Sequence, residues 1–179
     1  MRERLSLRGC QLAVDRDSAV YEGKHRFVAQ DFDQADFARR LGVASFDLVV
    51  AVEVIAHVAS PINFLRNIAT LLSPEGVAVI TTPNVDSLPA RLKFLVKGNL
   101  RMMDKGSDAT HISPIFSDLL RRQFLPRAGL QLREHLLSPP KGYPLTRKPL
   151  AWPLALAASG FPGDSVLGDP HIFVFQAAT

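Results

Sequence analysis

Two carboxylates stand just past short apolar runs, Asp15 in LAVDRD and Asp31 in FVAQDF. If Gln11 to Val14 and His25 to Ala29 are strands, both acids lie at strand carboxyl ends, where open α/β sheets bind their ligands. There Asp15, with Arg16 beside it, can accept both hydroxyls of a ribose. The competing reading is that Asp17-Ser18 merely caps the next helix. Asp31 has Phe32 as its neighbour, a pairing that suits a purine: the ring covers the base while the acid accepts from its amino group. Phe32 is equally a candidate core residue.

The element that must position these groups is Ser45 to Asn84. Phe46 to Val54 is an apolar, β-branched run broken only by Asp47 and Glu53, which predicts a strand buried on both faces of a parallel sheet. Ser60-Pro61 supplies a helix N-cap and first-turn proline. Ile62, Leu65, Ile68, Ala69 and Leu72 then form one apolar helix face. Ser73-Pro74-Glu75-Gly76 is expected to turn the chain into a buried strand at Val77 to Thr81, completing a βαβ unit. Met1 to Leu7 reads as the end of a helix, and Asp33 to Leu41 as a short polar helix or loop stopped by Gly42. Further on, a helix is expected at Ser87 to Lys97 with Leu88, Leu92, Leu95 and Val96 on its inner side. Arg101 to Thr110 reads as a lid. Another helix runs from Ser117 to Ala128, kinked or shortened by Pro126. Leu130 to Leu137 and His171 to Gln176 read as strands with no clear helix between them, hence an antiparallel pair. Ser138 to Gly163 is a proline- and glycine-rich excursion.

Composition narrows the function classes. The chain has 179 residues, enough for a single domain with a real core, and a charged fraction of 21%. One cysteine, Cys10, excludes an internal disulfide and a cysteine metal cluster, so a reducing, cytoplasmic setting is expected. MRERLSLRG has charge without an apolar run behind it, so no leader is expected. The nearest approach to the ~20 apolar residues of a membrane span is 150–161, broken by Pro153 and Gly160. Residues 61–179 carry thirteen Lys/Arg against eight Asp/Glu, while residues 1–60 carry eight against nine. These cations are scattered and lack interleaved aromatics, so no nucleic-acid partner is expected. A dinucleotide-dependent oxidoreductase would share the acid at Asp15, but only Tyr21 and Tyr143 are available for its catalytic pair. No oligomeric state follows from the sequence.

In the order and spacing of LAVDRD, FVAQDF, FDLVVAVEVIAHV, LLSPEGVAVITTPN and HISP…LLRRQFLPRAGLQL, the chain resembles class I S-adenosylmethionine-dependent methyltransferases. The likeness is greatest to the UbiE/ubiquinone O-methyltransferase-like group, with some to the MetW group. It implies a Rossmann-like, mainly parallel α/β sheet with an antiparallel last strand, in one domain over 1–179. It implies S-adenosyl-L-methionine as cofactor, with Asp15 and Arg16 at the ribose, Asp31 and Phe32 at the adenine, and Val52 and Glu53 lining the pocket. His57 and His111 stand where that group has histidines; each either pins a loop or orients substrate and accepts a proton. The implied acceptor is a small molecule, and 150–161 is compatible with a lipid-like quinone precursor. The family's first strand and its GxGxG turn have no counterpart here. A gap is therefore expected between the strand ending at Asp15 and the one ending near Val52. The reading adopted is a chain that starts upstream of Met1, the alternative a truncated, non-catalytic relative acting as an interaction module.

Overall fold

The computed structural model describes residues 12–17, 26–104, 108–138 and 168–178. The expected N-terminal helix end and the excursion beyond Ser138, with its apolar 150–161 stretch, lie outside them. Strands β1 (Leu12–Asp15) and β2 (Arg26–Ala29) come first, then helix α1 (Phe37–Leu41), β3 (Phe46–Ala51) and a 3-10 turn at Val54–His57. They are followed by α2 (Pro61–Leu71), β4 (Leu72–Pro83) and α3 (Leu88–Lys97). The last helical stretch runs from α4 (Ser117–Leu119) through a π turn (Leu120–Phe124) to α5 (Leu125–Ala128), before β5 (Leu130–Leu137) and β6 (Pro170–Ala177).

The fold is α/β, with β1 and β2 paired in parallel and a second sheet ordered β3-β4-β6-β5. In that sheet β3 and β4 are parallel, while β6 runs antiparallel to both β4 and β5. The terminal antiparallel pair is as expected. So is the gap: among the described residues no strand lies between β1 and β3. An apolar cavity of about 140 Å³ separates them, its walls including Leu12, Val14, Phe37, Leu41, Leu48 and Val50.

β3 is buried on one face only. Its alternation points Val49 and Ala51 at the core, but Leu48, Val50 and the following Val52 share a face that stands open, with Val50 57% exposed. The expected two-sided burial is corrected to one-sided, because one face of β3 has no cover among the described residues. The inner side of α3 is likewise narrower than its pattern suggested. Leu88 and Ala90 are buried, whereas Leu95 and Val96 are 81% and 78% exposed.

Local signals hold well elsewhere. The Ser60 hydroxyl caps α2 by accepting from the Asn63 N–H at 3.3 Å. The buried face of α2 is Phe64, Leu65, Asn67, Ile68 and Leu71, rotated from the expected one. Asn67 is tolerated there because its polar atoms are satisfied. Its Oδ1 accepts from Ala38 N–H at 2.9 Å, and its Nδ2 donates to Ala35 O at 2.9 Å and to Asn63 O at 3.0 Å, stitching α2 to α1. Ser73 to Gly76 does not leave the strand but bulges within β4, since Phe46 pairs with Leu72 and Leu48 already with Val77. A Cβ on Gly76 would stand 2.7 Å from the Phe46 carbonyl oxygen, so this close passage needs glycine. Pro126 has no N–H to give the preceding turn. The chain widens to π geometry just before it, and Gly129 (φ +70°) ends the helix.

Under the terminal strands lies a buried polar chain. Arg121 donates to His135 Nδ1, so the neutral His135 ring carries its proton on Nε2 and donates to His171 Nδ1 at 2.8 Å. His171 Nε2 then faces Asp86 Oδ2 at 3.8 Å. Burial first, then the nearby His135 and Arg121, lower the His171 pKa to about 4, against an opposing pull from Asp86. Between pH 6.5 and pH 4 the unfolded chain therefore binds a proton that folded His171 refuses. Stability present above that window is lost as pH falls through it. Urea unfolding at pH 7.5 and 4.5 should differ by about 3 kcal/mol more in the native chain than in His171→Gln. Equal losses in the two proteins would refute the assignment.

Candidate functional site

The carboxyl ends of β1, β2 and β3 and the segment around Thr110 and Ile112 meet at a cavity of about 590 Å³, within the size range of small-molecule sites. Asp15 and Arg16 enter it from β1, Phe32 and Asp33 from the turn after β2, Val52 from the end of β3, and His57 and Thr110 from the far side.

The acidic end is held by a chain of polar contacts. Asp15 Oδ1 accepts from the Asp17 N–H at 3.2 Å, which orients the carboxylate at the strand end. The Arg16 guanidinium donates to Asp31 Oδ1 at 2.7 Å and to Asp33 Oδ2 at 3.3 Å. The Arg16 bond, followed by the Asp33 N–H, holds the Asp31 carboxyl below the usual carboxylate range. Asp33 Oδ1 accepts from the Ala59 N–H at 2.7 Å, tying the β2 turn to the segment after the 3-10 turn. Asp33 lines the cavity, whereas Asp31 is engaged by Arg16 and is not among the lining residues. Phe32 serves two purposes. It lines the cavity and also packs edge-on to Phe37 and Phe64, with centroids 5.4 and 5.9 Å away.

Glu53 sits at φ +60°, a left-handed conformation uncommon for a residue other than glycine. Its N–H donates to Thr81 Oγ1 at 3.0 Å while its carboxylate accepts from the same hydroxyl at 2.8 Å. This clasp to β4 supports the sharp reversal after β3 that leaves Val52 64% exposed to the cavity. Glu53 itself is not on the cavity wall.

On the far side, Ile112 and Ser113 N–H both donate to Ala56 O at 3.0 Å, and Ser113 Oγ donates to Val58 O at 2.7 Å. These bonds pin the segment after His111 to the 3-10 turn, and the His57 and His111 rings stand 4.5 Å apart, centroid to centroid. The Asp108 carboxylate accepts from Thr110 N–H at 2.9 Å and from its hydroxyl at 2.6 Å. The Thr110 hydroxyl, then the backbone, and to a lesser degree the two histidines, lower the Asp108 pKa. Because its proton goes to Asp108, Thr110 Oγ1 accepts from His57 Nδ1–H, 2.8 Å away. His111 Nδ1 lies 2.8 Å from Met102 O, a carbonyl that can only accept, so this nitrogen also carries its proton.

Of the residues singled out from sequence, Asp15, Arg16, Phe32, Val52 and His57 share the cavity wall, and the His111 ring lies against His57, tilted 45° to it. Asp33, Thr110 and Asp108 were missed. The doubled acid in Asp31-Phe32-Asp33 was a signal for the first, but nothing in the polar segment before His111 marked the other two.

A methyltransferase domain family model matches residues 7–135. A ubiquinone biosynthesis O-methyltransferase of Caulobacter sp. (strain K31) is 46% identical over 43 residues, which is 24% of this chain but only 17% of that protein. Among solved structures, a SAM-dependent methyltransferase from Archaeoglobus fulgidus superposes with TM-score 0.61 at 16% identity, over 92% of this chain and 75% of that one. The trans-methyltransferase CalH, in complex with SAH, gives TM-score 0.56 at 15% identity over 94% and 43% of the two chains. With a family match over most of its length and this sheet order, the chain belongs to the methyltransferase domain family and has the class I methyltransferase fold.

Proposed function

We propose that the chain binds S-adenosyl-L-methionine in the strand-end cavity and supports methyl transfer to a small-molecule acceptor. The observation that carries this reading is that Asp15, Phe32, Asp33, Val52 and His57, spread over more than forty residues, line one cavity. The residues fit the adenosyl half of the cofactor. Asp15 suits the ribose hydroxyls, Phe32 and Val52 the faces of the adenine ring, and Asp33 with Arg16 the polar edge, Asp31 acting behind them as the partner of Arg16. The sulfonium of the bound cofactor supplies an activated methyl group, so the protein's work is chiefly alignment and exclusion of water. Where the acceptor must lose a proton, His57 is placed to take it on Nε2, its Nδ1 proton being given to Thr110. A small metabolite is the proposed acceptor class.

The match to a known structure bound to SAH supports the cofactor assignment. A second reading, a relative without methyl-transfer activity, draws support from the apolar cavity between β1 and β3, since the methionine half of the cofactor would lie against that gap. Calorimetric titration with S-adenosylmethionine and S-adenosylhomocysteine separates the two. Saturable 1:1 binding with a raised melting temperature is expected. Absence of binding by a folded chain would overturn the cofactor assignment and favour the second reading.

A further inference from the structure

On the far side of the cavity, His57, Asp108 and His111 each present one ligand atom, and the three atoms lie within 4.8 Å of one another. Two imidazoles and a carboxylate are a donor set that suits first-row divalent cations. The hydrogen bonds around the cluster add a second, independent indication. His57 gives its Nδ1 proton to Thr110 Oγ1, and His111 gives its own to the Met102 carbonyl, both at 2.8 Å. Each ring thereby keeps Nε2 as its lone-pair nitrogen. That outer-shell arrangement, with one ring N–H held by an oxygen, is how metal-bound histidines are oriented and made more basic. Thr110 also links His57 to Asp108, so one hydroxyl sets the geometry of two of the three donors. Met102 presents its carbonyl from φ +69°, a backbone conformation that a methionine rarely adopts.

We propose that His57, Asp108 and His111 form a binding site for a divalent first-row transition-metal ion. Bonds of about 2.1 Å around a tetrahedral ion place donors about 3.4 Å apart, so the most widely separated pair must close by up to about 1.4 Å, a side-chain adjustment on a segment already pinned to Ala56. Asp108 is exposed, which leaves an entry path, while the two rings are half-buried. His57 also lines the cavity, so the ion would sit on that side of it. A hydroxyl oxygen of an acceptor could bind the ion there and release its proton to solvent more readily. With the ion bound, His57 would be a ligand and no longer a base. The site itself stands on the cluster alone and does not depend on cofactor binding.

The test uses the tag-free full chain, stripped with a chelator, with neither cofactor nor acceptor present. Titration with Co²⁺, followed by visible absorption, and with Zn²⁺, followed by calorimetry, should show one ion per chain. His111→Ala should abolish binding, and Asp108→Asn, a change at an exposed position, should weaken it with the melting temperature retained. Thr110→Val, which touches only the outer shell, should weaken it about tenfold. No saturable binding by the native chain, or binding that His111→Ala and Asp108→Asn both leave unchanged, would overturn the proposal. Because S-adenosylmethionine is absent throughout, this failure is distinct from failure of the methyl-transfer reading.

Discussion

Asp15→Ala is expected to raise the Kd for S-adenosylmethionine about a hundredfold with little change in melting temperature. In the proposed site the carboxylate accepts from two ribose hydroxyls. Each charge-assisted bond at a partly solvated position is worth roughly tenfold in affinity, and alanine removes both. The side chain lines the cavity at the carboxyl end of β1 and is exposed, so little of the fold rests on it. Its one described internal bond is from the Asp17 N–H at 3.2 Å, a local turn contact. That is also the alternative role: if Asp15 served only the turn, Asp15→Asn, which keeps an acceptor there, would behave as the native chain does. In the ribose role Asp15→Asn should fall between native and alanine. Calorimetry on the three proteins decides it, and an unchanged Kd in Asp15→Ala would remove Asp15 from the site.

Phe64→Ala should cost about 3–5 kcal/mol, a large part of the stability of a domain this size. Phe64 is 1% exposed on α2, and its ring meets Phe37 at 6.0 Å and Phe32 at 5.9 Å. Truncation leaves a void beside the apolar cavity between β1 and β3, which Phe64 already borders. Phe32 is the link to function, because the ring that loses its backing is a wall of the proposed cofactor site. Cofactor affinity should therefore drop along with stability. Urea unfolding followed by circular dichroism measures the first effect. Phe64→Leu, which keeps most of the volume, measures the trend if the alanine variant does not fold. A loss under about 1 kcal/mol would mean that the surroundings close around the void.

Much of the fold was legible because its signals are local. Ser60 as a cap, Gly129 and Gly42 as helix stops, and the βαβ pattern of 45–84 each depend on residues within a few positions of one another. The same holds for the placement of Asp15 and Asp31 at strand ends. The turn expected at Ser73–Gly76 failed for a reason the local pattern does not contain. The Phe46 carbonyl passes so near Gly76 that the segment stays against β3 as a bulge. The exposed faces of β3 and α3 escaped notice for a related reason. Periodicity states which side chains share a face, not whether anything covers it.

The sequence by itself determined the family, the order of the elements and the acids that end the first two strands, since these follow from residue type and short-range spacing. Tertiary structure alone decided that Asp33 rather than Asp31 lines the cavity and that one face of β3 stands open. It alone joined His57 to Thr110, fifty-three residues away, and Arg121 through His135 to His171. The physical reason is the same in each case. A hydrogen bond or a ring contact acts over a few ångströms, and which distant residues come that close is set by the packing of whole elements.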